Sequence, residues 1–179
     1  MIFETTPLEG LFLVKPDKRH DERGYFSRLW CDQEFPAAGL PFAPRQISAS
    51  YNQAAATLRG MHWQADPHGE AKLVRATRGA IFDVAVDLRF NSLSKFNWFG
   101  AVLDAENQFG LFIPQGFAHG FITLAEASEV LYLIDTPFQP EFSRGARYDD
   151  PAFGIQWPCA PVVVSARDLA FPPVTGAPR

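Results

Sequence analysis

Hydrophobic and polar positions alternate most regularly over residues 80–89. Phe82, Val84, Val86 and Leu88 fall on one face, and Asp83, Asp87 and Arg89 fall on the other. A period of two marks a strand. Gly79 before it and the Asn91-Ser92 pair after it supply turn residues. Stretches rich in β-branched or aromatic residues and bounded by Gly, Pro, Asn or Asp predict further strands over 11–14, 25–30, 45–51, 72–77, 98–103, 110–113, 120–123, 129–135 and 162–165. Helical periodicity is weak. It allows one or two turns over 32–38 and again over 165–170, where Ser165 is placed to cap the N-terminus. About ten short strands at such spacing predict an all-β sandwich or jelly-roll barrel with short peripheral helices. No repeat or linker divides the chain, so residues 1–179 read as one domain, with 172–179 as a frayed tail.

Composition agrees with this architecture and narrows the function. The 17 Phe, 15 Pro and 13 Gly are spread along the chain and favour strands and turns over long helices. With 47% hydrophobic and 20% charged residues, the chain has the makings of a packed core and is not of the disordered class. The balance of 16 Lys+Arg against 20 Asp+Glu gives a net charge of -4. That argues against bulk attraction to nucleic acid or an anionic membrane surface, while leaving room for a local basic pocket. Cys31 and Cys159 are too few for a disulfide framework or a Cys-rich zinc site, and read as free thiols of a cytoplasmic protein. The opening Met-Ile-Phe-Glu-Thr-Thr-Pro lacks the pattern of a secretory signal, and no stretch approaches the apolar length of a membrane span.

One motif gives the barrel a chemical interior. Residues 113–121 contain P-x-G-x-x-H, with Pro114, Gly116 and His119. It resembles the second signature of the cupin superfamily, in which a Pro/Gly turn delivers a His into the mouth of a small jelly roll; a plain structural turn with a half-buried His fits the same residues. The first cupin signature, which supplies an H-x-H pair and a Glu for a metal, is not present. His62 and His68 are too far apart for it, and the position of the ligand Glu is taken by Lys72. A protonated ammonium has donors and no acceptor and does not ligate a metal. The expectation is a barrel without a metal or other cofactor, holding a fixed organic cation instead.

Four further stretches carry candidate chemistry. They are D-x-R-G-x-F at Asp21 to Phe26, R-G-x-H-aromatic-Q at Arg59 to Gln64, Lys72-Leu73-Val74-Arg75 leading into the 80–89 strand, and Ser165-Ala166-Arg167-Asp168, with Tyr132 in a strand of its own. Taken singly each has an ordinary structural explanation: a core His beside a Trp, a core Tyr, a strand-edge Lys, an Asp capping a turn. In their joint order they resemble the dTDP-4-dehydrorhamnose 3,5-epimerase family of nucleotide-sugar epimerases, over roughly residues 3–172.

That resemblance implies a 4-keto-6-deoxyhexose linked to a nucleoside diphosphate as substrate, with inversion at C3 and C5. Inversion next to a ketone needs a base on one face, an acid on the other and a cation for the enolate oxygen. By position, His62 matches the base, Asp168 the carboxylate that holds it, Tyr132 the acid and Lys72 the cation. Arg59 matches a phosphate-holding residue, and Gln46, Ser48, His119 and Arg167 match other substrate contacts. Arg23 and Phe26 match residues that reach the nucleotide from the N-terminal arm of a neighbouring subunit, which implies a homodimer with exchanged strands. The match departs from the family at Arg28 and Ser143, where relatives carry Glu, at Ser48, where they carry Asn, and at Phe138, where many carry Tyr. All four departures touch recognition rather than proton transfer, and leave the nucleotide base open. Alternatives on the same scaffold are a mono-epimerase, a 3,4-ketoisomerase or a non-catalytic sugar-binding barrel.

Overall fold

The computed structural model describes residues 1–174. The chain begins with β1 (Ile2–Thr5), β2 (Phe12–Lys15), β3 (Lys18–Asp21) and β4 (Gly24–Ser27), followed by the short helix α1 (Glu34–Ala37). Next come β5 (Gln46–Asn52), β6 (Thr57–Gln64), β7 (Lys72–Arg78), β8 (Ala80–Asp87) and β9 (Trp98–Asp104). The last elements are β10 (Gly110–Ile113), β11 (Phe117–Thr123), β12 (Ser128–Ile134), β13 (Ser143–Gly145), β14 (Val163–Val164) and α2 (Ala166–Leu169).

These strands form two facing sheets, ordered β1-β2-β10-β7-β12-β5 and β13-β6-β11-β8-β9, with β14 beside β6 and β3–β4 as a separate hairpin. This is the expected all-β, cupin-like jelly roll. The core lies between the sheets: Val74, Leu111 and Val130 of the first meet Ile81, Ala85, Leu103 and Phe121 of the second. Each sheet is also covered outside. Phe35, Leu40 and Phe42 around α1 lie over Leu73, Phe112 and Leu133 of the first sheet. Phe153 and Trp157 lie over Val84, Val86 and Met61 of the second. β8 is therefore buried on both faces, and its polar face, with Asp83 and Asp87 fully buried, belongs to the interior side.

The structure differs from the sequence reading in four strands. Ile2–Thr5, Lys18–Asp21, Thr57–Gln64 and Ser143–Gly145 carry no regular alternation, yet each pairs with a neighbour. The strand expected over 25–30 stops at Ser27. Ser165 caps α2 as expected, its side chain accepting from the Asp168 amide at 3.0 Å. The β3–β4 hairpin stands away from both sheets and is rooted by Arg75. This buried guanidinium donates to the carbonyls of Gln108 and Leu29, the latter at 2.8 Å, and burial pushes its pKa down to about 10. Of the expected tail, the Val174 amide donates to Asp150 at 2.8 Å, and residues 175–179 lie outside the described residues. Among the described residues no helix is long and apolar enough to cross a membrane.

Candidate active site

Strict alternation would send Arg59 and His62, three residues apart, to opposite faces of β6. Here they line the same cavity. The reason is a shift in the β6–β11 ladder: His62 pairs with His119 and Arg59 with Phe121, so a step of three on β6 matches a step of two on β11. An extra residue of this kind turns following side chains to the other face. Gly60 makes it feasible. Its φ is +125°, and a Cβ there would come within 2.5 Å of the Gly120 Cα on β11. Only glycine takes that backbone and that approach together.

The cavity between the sheets measures about 300 Å³. His62 enters it from β6, and its Nε2 lies 2.8 Å from Asp168 Oδ1. Asp168 is buried at the start of α2 and also accepts the Gly60 amide at 3.2 Å. Burial pushes its carboxyl up. The hydrogen bond and charge of His62, the Gly60 amide and the Ser165 hydroxyl pull it further down, leaving it below the usual carboxylate range. An ionised carboxylate accepts only, so Nε2 carries the hydrogen and Nδ1 is left with the lone pair of a base.

The facing sheet contributes Tyr132 and Lys72, while His119 and Arg59 come from the same sheet as His62. Tyr132 on β12 reaches the cavity with its hydroxyl 3.1 Å from Ser50 Oγ on β5. Burial pushes the phenol well above its ordinary pKa; the Ser50 hydrogen bond offsets part of that, and the charge of Asp83 adds to it. Lys72 on β7, almost fully buried, donates from Nζ to Glu70 at 2.6 Å, and both line the cavity. His119 on β11 presents its ring edge-on to Tyr132, 6.1 Å between centroids, and its Nε2 lies 2.7 Å from the buried Asp83. Arg59 is held by the buried Asn52, at 2.7 Å, and by the Tyr51 carbonyl.

Of the residues singled out from sequence, Gln46, Ser48, Arg59, His62, Lys72, His119, Tyr132 and Phe138 all line this one cavity. Arg167 and Asp168 flank a second cavity that shares Arg59 and His62. Arg167 donates to Ser143 Oγ at 3.0 Å, which puts both at the rim. Arg23, Phe26 and Arg28 are not brought there within one chain. Arg23 is paired with Asp21 in the exposed hairpin, and the Phe26 ring is 72% exposed. The Arg28 guanidinium donates to Glu34 at 2.8 Å, so a carboxylate still stands beside the position where relatives carry one. Sequence reasoning missed Ser50, Glu70, Asp83 and Asn52. Asp83 had a signal, a carboxylate alternating with the apolar face of a central strand. Ser50 lay two residues beyond Ser48 on the same strand face. Among the described residues no group of three or more His, Cys, Asp or Glu side chains is placed to hold a metal ion.

Comparison with known proteins converges on the same chemistry. A family model described as dTDP-4-dehydrorhamnose 3,5-epimerase matches residues 5–175. A dTDP-4-dehydrorhamnose 3,5-epimerase from Sinorhizobium fredii is 38% identical over 179 residues, covering 99% of this chain and 92% of the relative. The crystal structure of such an enzyme from Bacillus anthracis, with TDP and PPi bound, superposes with a TM-score of 0.94 at 32% identity, covering 97% of this chain and 99% of that one. The Legionella pneumophila enzyme in complex with dTDP-4-keto-L-rhamnose gives 0.89 at 32% identity, covering 95% and 90%. Fold and site thus define a cupin-like isomerase. More narrowly, the chain belongs to the dTDP-4-dehydrorhamnose 3,5-epimerase family.

Proposed function

We propose that this protein inverts C3 and C5 of dTDP-4-dehydro-6-deoxyglucose to give dTDP-4-dehydrorhamnose, by proton removal and return through an enolate. The observation that carries the reading is the placement of His62, paired with Asp168 of α2, on one sheet and the Tyr132 phenol on the other, with both rings in a single cavity. His62 Nδ1 takes the proton on the carbon beside the ketone, and Asp168 balances the imidazolium that results. Lys72, with one donor on Glu70, has others left for the developing enolate oxygen. Tyr132 returns a proton from the opposite face, and the carbon is inverted. Base and acid of this kind each supply on the order of 10²–10⁴ in rate, and an oxyanion donor roughly 10²–10³.

Recognition of the diphosphate falls to Arg59, whose fork is fixed by Asn52 and the Tyr51 carbonyl. Arg167 lies at the adjoining rim. Gln46, Ser48, His119 and Phe138 face the sugar and nucleoside. The exposed β3–β4 hairpin, carrying Arg23 and Phe26, is read as the arm that each subunit of a homodimer lends to the other. The aromatic surface of Tyr25 and Phe26 and the free edge of β5 support this arrangement.

Incubation with the 4-keto sugar nucleotide in deuterated water tests the reading. Deuterium at C3 and C5 of an inverted product is expected. Label at one carbon reduces the activity to mono-epimerisation, and no label removes it. His62→Ala abolishes wash-in if the base is rightly assigned.

A further inference from the structure

We infer that Ser50 is the relay that returns a proton from solvent to the Tyr132 phenol after each inversion. The inference rests on the acid–base reading above, and it answers a difficulty that reading creates. Each inversion leaves Tyr132 as a phenolate, and a second inversion on the same sugar needs the phenol restored.

The surroundings of that hydroxyl give it one hydrogen-bonded neighbour able to pass a proton on. Among the described residues its hydrogen-bond partner is Ser50 Oγ, at 3.1 Å. On its other side the ring meets His119, whose Nε2 is engaged by the fully buried Asp83. Burial and the Asp83 charge both disfavour a phenolate, so the ionised form is driven to regain a proton. Ser50 is only half-buried, and it ends a polar row on β5: Gln46 Nε2 donates to Ser48 Oγ at 3.1 Å, and Gln46, Ser48 and Ser50 all face the cavity. β5 is the last strand of its sheet, so the row lies on the cavity side of that sheet's outermost strand. A hydroxyl is both donor and acceptor and passes a proton without holding charge.

The step balances. The Ser50 O–H bond breaks as its proton joins the phenolate oxygen, while the Ser50 oxygen takes a proton from a water on the solvent side. The hydroxide so formed is neutralised by the proton that the His62 imidazolium releases. Nothing is oxidised or reduced. Ser50 never touches the reacting carbon; it is a positioning and relay residue acting through Tyr132.

The test uses the full-length protein equilibrated in deuterated water, mixed with excess 4-keto sugar nucleotide and quenched over milliseconds to minutes. Ser50→Ala is expected to give a burst of one deuterium per active site at the wild-type rate. Turnover then follows about 10-fold or more slower than wild type, the scale of a proton-transfer aid. Ser50→Thr, which keeps the hydroxyl, restores the fast phase. Three results overturn the relay: an Ala variant that turns over at about the wild-type rate, a first deuterium slowed as much as later ones, or a Thr variant as slow as Ala. A wild-type protein that takes up no deuterium removes the acid–base reading itself, and the relay with it.

Discussion

Asp168 keeps its charge where burial opposes it, because three donors converge on it. A carboxyl held below its unfolded value contributes stability above that value, near ~3.9, and loses it as the pH falls through the lower folded one. Asp168→Asn is therefore expected to be less stable than wild type at neutral pH. The gap, followed by urea denaturation across pH, should close below about pH 4. The same variant leaves Nε2 free to hold the lone pair, so kcat should fall on the order of 10²–10⁴. At this scale much was readable: the resemblance pointed to His62, Asp168, Tyr132 and Lys72, and the structure brings all four into one neighbourhood. What was not readable were the partners that set their states. Ser50 and Asp83 act through distances of 3.1 and 2.7 Å to residues 82 and 36 positions away, where spacing carries no trace of the contact, and Glu70 reaches Lys72 from just outside the strand.

β6 is the element on which the site turns, and it is one of the four strands whose pattern was silent. A strand with a glycine at its centre and an extra residue in its ladder has no clean period of two, whereas β8 and β10, regular throughout, and β12, shifted only at Glu129/Val130, were legible nearly to their ends. Gly60→Ala puts a methyl group into the Gly120 backbone and forces β6 away from β11. A loss of stability on the order of 2–3 kcal/mol is expected by thermal denaturation. Residual folded protein should show a further loss of activity, because His62 and Arg59 would no longer share a face. Activity retained at temperatures where the variant is folded would mean that the bulge does not set their orientation.

The whole molecule was legible as to class, an all-β jelly roll with two short helices, because short strands punctuated by Gly and Pro admit few other solutions. The hairpin that stands apart was less so: Lys18–Asp21 is polar throughout and brings no apolar side chain to the core, touching the rest of its chain through bonds such as Lys18 to the Glu106 carbonyl. If this arm serves a neighbouring subunit, Phe26→Ala should raise KM about 10-fold, the worth of a lost base stack, with kcat little changed and the dimer mass kept in light scattering. A change in kcat alone would place Phe26 elsewhere. Finally, the imidazole hangs from one wall and the phenol from the other. On the proposed assignment, substitutions confined to β12 and β5 silence delivery to the far face while abstraction continues, producing a catalyst that labels its sugar without reshaping it. Handedness of the product would then rest on one wall alone, whereas reactivity of the carbon draws on both, since Lys72 shares the wall of the phenol.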